Sequence, residues 1–226
     1  MKKIPINSYI WTLAIAILIA LFTRTILITA YKVPTGSMQP TLKPGDFIFA
    51  SKINYGIVSY KPGWLFRWLK PQRNEVVVLT NPEQSDTKYV KRVIAIEGDE
   101  VKIENDEIWL NGNKLQYSEV ADQIENPNAD VFVIRKEIDQ NQERQVINVK
   151  SHKTKTYGPI KVPEGHVFLL GDNRGTSEDS RSWGTVPNSQ IIAKVQVVWL
   201  SLDWQKKWVQ NRLPQVRWNR IFSKVN

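Results

Sequence analysis

The sequence predicts a mainly β protein carried on a single N-terminal transmembrane helix, with a β subdomain inserted at about residues 105–157. Three observations predict it. Tyr9 to Tyr31 is a run of 23 residues with one formal charge, Arg24, and at about 1.5 Å rise per residue it covers the roughly 30 Å of a hydrocarbon core. Beyond it, short β-branched and aromatic runs are bounded by Gly, Pro, Asn or Asp. No helical periodicity of comparable strength precedes Leu202.

Composition limits the function classes. A chain of 226 residues that is 42% hydrophobic and 23% charged is neither disordered nor fibrous, and has room for one or two domains with a core. The absence of Cys excludes disulfide frameworks, thiol nucleophiles and Cys-based zinc sites. The two histidines, His152 and His166, form no metal motif. No metal and no cofactor is expected. The formal charge is +9, which raises nucleic acid or a lipid surface as a partner. It divides unevenly. Residues 1–75 hold 10 basic and 2 acidic side chains, residues 203–226 hold 6 and 1, and the rest 15 and 19, so +8, +5 and −4 give +9. The surplus lies at the two ends.

The elements follow in order. Residues 1–8 carry Lys2 and Lys3 with no acid, which predicts a cytoplasmic N-terminus and places residues 32–226 outside the membrane. Residues 9–31 are the span, with Trp11 and Tyr31 at its interfaces and Arg24 reaching toward headgroups. A cleaved secretory signal is the rival, but this run is longer than an ordinary signal core and ends in Tyr31-Lys32-Val33-Pro34. Strands are predicted at Asp46–Ala50, Glu75–Thr80, Tyr89–Ile96, Val131–Ile134, Val146–Val149, Val167–Leu170 and Ile191–Leu200. Glu107-Ile-Trp-Leu-Asn-Gly112 ends in a hairpin signal. Residues 105–157 are polar and acidic, an inserted subdomain with mobile loops. His152 reads as a solvated side chain.

Three segments combine residues that chemistry needs. Val33-Pro-Thr-Gly-Ser-Met-Gln-Pro-Thr-Leu-Lys-Pro-Gly-Asp46 holds three prolines and two glycines. Such a loop can present the Ser37 hydroxyl on a fixed backbone, with the Ser37 N–H and Thr35 O–H as oxyanion donors. Taken alone, Gly-Ser in a Pro-rich loop is usually only a turn. In Tyr89-Val-Lys-Arg-Val-Ile-Ala-Ile-Glu-Gly-Asp99, period two sets Lys91 among Tyr89, Val93 and Ala95, and Arg92 on the other face. Desolvation can deprotonate a lysine but not an arginine, so Lys91 is the candidate base; a solvent-facing pair on an edge strand is the alternative. Gly171-Asp-Asn-Arg-Gly-Thr-Ser-Glu-Asp-Ser-Arg-Ser-Trp-Gly184 packs acids, amides and hydroxyls into one loop. It can supply supporting hydrogen bonds or be a generic Asx-rich turn. A calcium-hand spacing is absent, and so is a G-x-S-x-G elbow.

Taken together and in this order, the three segments resemble the type I signal peptidases, membrane-bound serine proteases with a Ser-Lys dyad. Asn74-Glu-Val-Val-Val-Leu79 also resembles the family strand before the lysine. The resemblance covers most of the chain outside the insert. It implies Ser37 as nucleophile and Lys91 as general base, with the Ser37 amide and Thr35 hydroxyl as oxyanion hole. It makes Ser177 the serine that orients the lysine, Asp179 and Arg181 a structural ion pair, and Asp172 and Asn173 supporting groups. Val33, Met38, Tyr89 and Val90 are implied around the substrate pockets. Ala95 and Glu97 stand where Gly and Pro are common in the family. The implied substrates are the signal peptides of exported preproteins, cleaved after a small-x-small site. An extended strand points i and i+2 the same way, so two adjacent shallow pockets read both small side chains.

Basic aromatic ends complete the reading. Trp64, Phe66 and Trp68 lie beside Arg67 and Lys70, and the tail 203–226 carries Trp204, Trp208, Arg212, Arg217, Trp218 and Arg220. Beside a membrane span this composition predicts contact with a lipid bilayer rather than nucleic acid. Trp199 is expected in the core. Two rivals remain: a self-cleaving repressor-type Ser-Lys protease, which the anchor disfavours, and a non-catalytic membrane-tethered β module that binds exported chains.

Overall fold

A computed structural model describes residues 6–22, 28–58, 64–67, 69–81, 87–120, 132–139, 142–149, 156–208 and 213–225. The N-terminal helix is Ile6–Phe22, 17 residues long. Among the described residues no helix is long and apolar enough to cross a membrane. The expected helix over 9–31 is therefore corrected at its outer end. Ile28–Lys32 is instead a strand paired antiparallel with Asp46–Ser51, Tyr31 opposite Ile48. Its β-branched and aromatic side chains alternate, Thr29 and Tyr31 half-buried and Ile28, Ala30 and Lys32 exposed, and its backbone groups find partners across the pair. Arg24 lies outside the described residues.

The main sheet is antiparallel and runs in the order Ile28–Lys32, Asp46–Ser51, Ile191–Trp208, Val76–Thr80, Lys88–Ile96, His166–Leu170, Val186–Pro187. Leu213–Val216 and Ser223–Lys224 also pair with the strand Ile191–Trp208. That strand runs eight residues past its predicted end at Leu200. Lys88–Ile96 is an interior strand, bonded to Val76–Thr80 on one side and His166–Leu170 on the other. An exposed pair of cations on a sheet edge is thus excluded for Lys91 and Arg92. Val33, Met38, Leu42, Ile48 and Val76 belong to one buried cluster. Side chains of this size each stabilise by about 1.5–3 kcal/mol when fully buried.

Two smaller sheets occupy the insert. Tyr157–Lys161, Glu100–Glu104, Glu107–Leu110 and Asn113–Lys114 form one, and Gln116–Glu119, Phe132–Asp139 and Gln142–Val149 form the other. The first takes in residues on both flanks of the expected 105–157. Asn111 and Gly112 both have positive φ, 51° and 77°, which is the turn their sequence signals. His152 lies outside the described residues.

The tail departs from expectation. Arg220 bonds the buried Asp46 carboxylate, Nη2 to Oδ2 at 2.5 Å, and the Thr41 carbonyl at 2.9 Å. Arg217 reaches the Pro44 carbonyl at 3.1 Å and Asp203 at 3.4 Å. These two cations, expected at lipid, brace the loop that follows Ser37. Trp199 is half-buried rather than in the core; Val198 takes the core-facing position, so strand alternation puts the indole on the opposite face, where it stacks on Phe49 at 5.3 Å. Trp204 and Trp218 are exposed, and Lys32 Nζ lies 5.2 Å from the Trp204 ring centre. Trp68 and Arg212, and the side chains of Trp64, Phe66, Arg67 and Trp208, lie outside the described residues.

Candidate active site

The loop carrying Ser37 is pinned at both ends and in its middle. Val33 N–H donates to the Asp46 carbonyl at 2.8 Å, Gly45 N–H to the Val33 carbonyl at 2.9 Å, and Leu42 N–H to the Met38 carbonyl at 2.8 Å. Val33, Met38 and Leu42 are buried, so apolar anchors on either side hold the polar segment between them at the surface. Ser37 itself is half-buried and Thr35 exposed, with their hydroxyl oxygens 3.4 Å apart. Asn173 fixes the Ser37 backbone: its N–H donates to the Ser37 carbonyl at 3.0 Å and its side-chain amide to the Gly36 carbonyl at 3.2 Å.

Lys91 is 2% exposed. Its Nζ lies 5.5 Å from the Tyr89 ring centre and 6.0 Å from that of Trp183, and donates to Ser177 Oγ at 2.9 Å. The Ser177 hydroxyl donates in turn to the Glu178 carbonyl, 3.4 Å away. Burial among these groups pulls the Lys91 pKa down to about 8, with Asp179 opposing the shift and Arg181 adding to it. A neutral amine next to a hydroxyl is therefore accessible near neutral pH.

Gly171 joins the two halves. A Cβ built on it would stand 2.4 Å from the Ser37 carbonyl oxygen and 2.2 Å from Ser177 Oγ, so the absence of a side chain lets the Ser37 loop and the lysine's partner meet at one backbone position. Asp179 holds this loop end. It accepts from Gly171 N–H at 3.0 Å and from Arg181 Nε and Nη2 at 2.8 and 2.9 Å. Burial alone would raise the Asp179 carboxyl, but the Arg181 guanidinium and the Gly171 amide outweigh it and hold it below its ordinary value.

Sequence reasoning missed the role of Arg92. Its guanidinium, 1% exposed, grips Asp172 through Nε and Nη2 at 2.8 and 2.7 Å and donates to the Asn74 carbonyl at 2.8 Å. Thr41 Oγ1 donates to the same carboxylate at 2.5 Å. Burial would raise Asp172, and the Arg92 charge with these hydrogen bonds keeps it low. One strand thus sends neighbouring cations to opposite faces, Lys91 to the Ser177 hydroxyl and Arg92 to a fully buried carboxylate. The signal was in the sequence, since apolar residues flank both cations. Trp183 beside Lys91 was also missed; it stacks on Tyr89 at 5.5 Å.

The residues implied around substrate fall in two groups. Val33 and Met38 are 3% and 1% exposed and lie in the main core cluster, with Val90 packed against it. Tyr89 is half-buried, and its hydroxyl donates to Glu178 at 3.2 Å. Among the described residues no group of three or more His, Asp or Glu is placed to hold a metal ion.

Comparison with known proteins sets this geometry in a family. A family model described as signal peptidase, peptidase S26, matches residues 6–200. Signal peptidase I of Rickettsia rickettsii (strain Sheila Smith) is 32% identical over 248 residues, covering 94% of this chain and 90% of that protein. Signal peptidase I of Rickettsia akari (strain Hartford) is 30% identical over 250 residues, covering 95% and 91%. A crystal structure of a signal peptidase I from Enterococcus faecalis V583 is 25% identical over 56% of this chain and 97% of its own, with a TM-score of 0.35. On the family match and the near-full-length relatives, the chain belongs to the signal peptidase family, peptidase S26, an enzyme family of serine endopeptidases among the hydrolases.

Proposed function

We propose that the protein is a membrane-bound serine endopeptidase that removes N-terminal signal peptides from exported preproteins after a small-x-small site, with Ser37 as nucleophile and neutral Lys91 as general base. The observation that carries the reading is the buried Lys91 amine held 2.9 Å from Ser177 Oγ. A desolvated amine of lowered pKa is the group that can activate a serine without a histidine.

The reaction balances on these residues. Lys91 takes the Ser37 Oγ proton as Oγ bonds to the scissile carbonyl carbon; the oxyanion that forms is met by the Ser37 N–H and Thr35 O–H. The carbon–nitrogen bond then breaks, and the leaving amine takes the proton from Lys91. A water attacks the acyl-serine ester, giving one proton to Lys91, and the proton returns to Ser37 Oγ as the ester bond breaks. Ser177 and the Asp179–Arg181 pair orient the lysine, while Asp172 and Asn173 hold the loop. Val33, Met38, Tyr89 and Val90 shape two shallow pockets.

Membrane attachment is part of the proposal. The helix Ile6–Phe22 exposes Ile10, Trp11, Leu13, Ile15, Ile17 and Leu18, an apolar surface that lipid can cover. Lys2 and Lys3 favour a cytoplasmic N-terminus and an extracytoplasmic catalytic domain, and Trp204 and Trp218 suit headgroup depth. The test incubates the full chain in lipid vesicles with a preprotein and sequences the new N-terminus. Cleavage after the small-x-small site by wild type, lost in Ser37→Ala and in Lys91→Ala, supports the reading; normal-rate cleavage by either variant overturns it.

A further inference from the structure

The catalytic loop is built partly on the insert. Glu137, on the inserted strand Phe132–Asp139, is fully buried. Its Oε2 and Oε1 accept Arg174 Nη1 and Nη2 at 2.7 and 2.9 Å. Arg144 Nε donates to Oε1 at 2.7 Å, and the Tyr117 hydroxyl to Oε2 at 2.9 Å. Arg174 sits in the middle of the Gly171–Ser177 segment, and its third contact turns back on that segment, Nε to the Gly171 carbonyl at 3.1 Å. Gly171 is the residue whose missing side chain lets the Ser37 carbonyl and Ser177 Oγ come together. The backbone repeats the attachment. Ile147 N–H, on the next inserted strand, donates to the Asp172 carbonyl at 2.9 Å, and Gly175 N–H to the Ile147 carbonyl at 3.3 Å. A Cβ at Gly175 would stand 2.2 Å from a Val149 methyl, so the two segments are in direct contact.

A buried ion cluster is a poor source of stability, because desolvating its charges offsets their attraction; what a planar five-donor guanidinium does supply is fixed direction. Burial would raise Glu137, but Arg174 and Arg144 bring it down to about 2, so it remains an anion wherever the enzyme works.

We propose that Glu137 is a positioning residue for catalysis: by clamping Arg174 it fixes the Gly171–Ser177 segment and so keeps Ser177 against the Lys91 amine, making the insert part of the active-site frame. The proposal rests on the Ser37–Lys91 reading above. Loosening the clamp lets water reach Lys91 and moves its pKa back toward that of a free lysine, against the same neighbours Asp179, Arg181, Glu178 and Asp172. Arg73, whose guanidinium pairs with Asp99 through Nε at 2.8 Å and with neither Glu137 nor the Gly171–Ser177 segment, serves as the control for a role in stability alone.

The experiment measures kcat, KM and the pH dependence of kcat/KM on a preprotein, with the melting temperature, for the full chain in detergent. Glu137→Gln is expected to lower kcat about 10-fold or more with little change in KM, and to raise the midpoint of the acidic limb by about half a unit or more, in the range that lost orientation of a general base costs. Glu137→Asp should recover part of both. Arg73→Met should lower the melting temperature and leave kcat and the midpoint unchanged. A Glu137→Gln enzyme with wild-type kcat and midpoint overturns the proposal, as does an Arg73→Met enzyme with the same kinetic defect. If Glu137→Gln does not fold, Arg174→Lys decides, since it keeps the charge and loses the fork: a raised midpoint supports the clamp and a wild-type one overturns it. Lys91→Ala in the same series separates the two readings, because activity in that variant refutes the dyad and not only the clamp.

Discussion

Lys91 donates a 2.9 Å hydrogen bond to Ser177 from a position 2% exposed to solvent. Ser177 therefore has a defined task, to hold a buried amine in one direction. Replacing it with Ala removes that acceptor while leaving the lysine desolvated. We expect Ser177→Ala to fold normally and lose about 10²-fold in kcat, the range associated with a misdirected general base. Steady-state cleavage of a preprotein, alongside a thermal melt, checks it.

Gly171 tests how closely the two loops must approach. A methyl group there meets the Ser37 carbonyl oxygen at 2.4 Å and Ser177 Oγ at 2.2 Å, and the carbonyl belongs to backbone that cannot swing aside. Gly171→Ala should push the Ser37 loop away from Ser177 and, on the proposed mechanism, cost at least about 10²-fold in activity, the penalty of displacing reacting groups by about 1 Å. Gly165→Ala, at a site where an added methyl meets open space but φ is 70°, should lower stability without this kinetic defect.

The Arg92–Asp172 pair makes a prediction about folding. Both side chains are buried, at 1% and 0% exposure. Arg92→Met leaves an unpaired carboxylate in the core and should destabilise by about 3–5 kcal/mol, whereas the double variant Arg92→Met with Asp172→Leu should recover much of that loss. Denaturant titration of both variants measures the difference.

Lys91 should weaken the fold it serves. The amine titrates near 8 in the folded protein and near 10.5 in the unfolded chain. Between those values the unfolded chain binds more protons, so stability rises with pH across that window and is lowest, and flat, below it. Lys91→Met should therefore be inactive yet more stable than wild type at pH 7 by about 3 kcal/mol, from 1.36 kcal/mol per pKa unit, with the gap narrowing as pH approaches 10.5. Melts at several pH values decide this.

Much of the candidate site was legible in the sequence because its parts are local. The Pro- and Gly-bounded loop around Ser37, the alternation that separates Lys91 from Arg92, and the Asx-rich loop after Leu170 all announce themselves within a dozen residues. What escaped depends on distant chain segments meeting. Nothing near Asp172 in sequence says that Arg92, eighty positions away, neutralises it, and nothing in the acidic insert says that Glu137 is buried on Arg174. The tail misled for the same reason: Arg217 and Arg220 have the composition of a lipid-facing patch, but a buried Asp46 more than 170 residues away turns Arg220 inward. The helix boundary failed differently. Hydrophobicity alone does not distinguish a span from the edge strand Ile28–Lys32, and pairing with Asp46–Ser51 settles it.

The central claim is that catalysis depends on one lysine being uncharged, and the pH dependence of kcat/KM for preprotein cleavage tests it most directly. Activity should rise with unit slope through a midpoint near 8, where burial sets Lys91, and Lys91→Arg should be inactive at every pH because a guanidinium does not deprotonate. A profile that is flat or falls between pH 6 and 9, or an active Lys91→Arg enzyme, would contradict it.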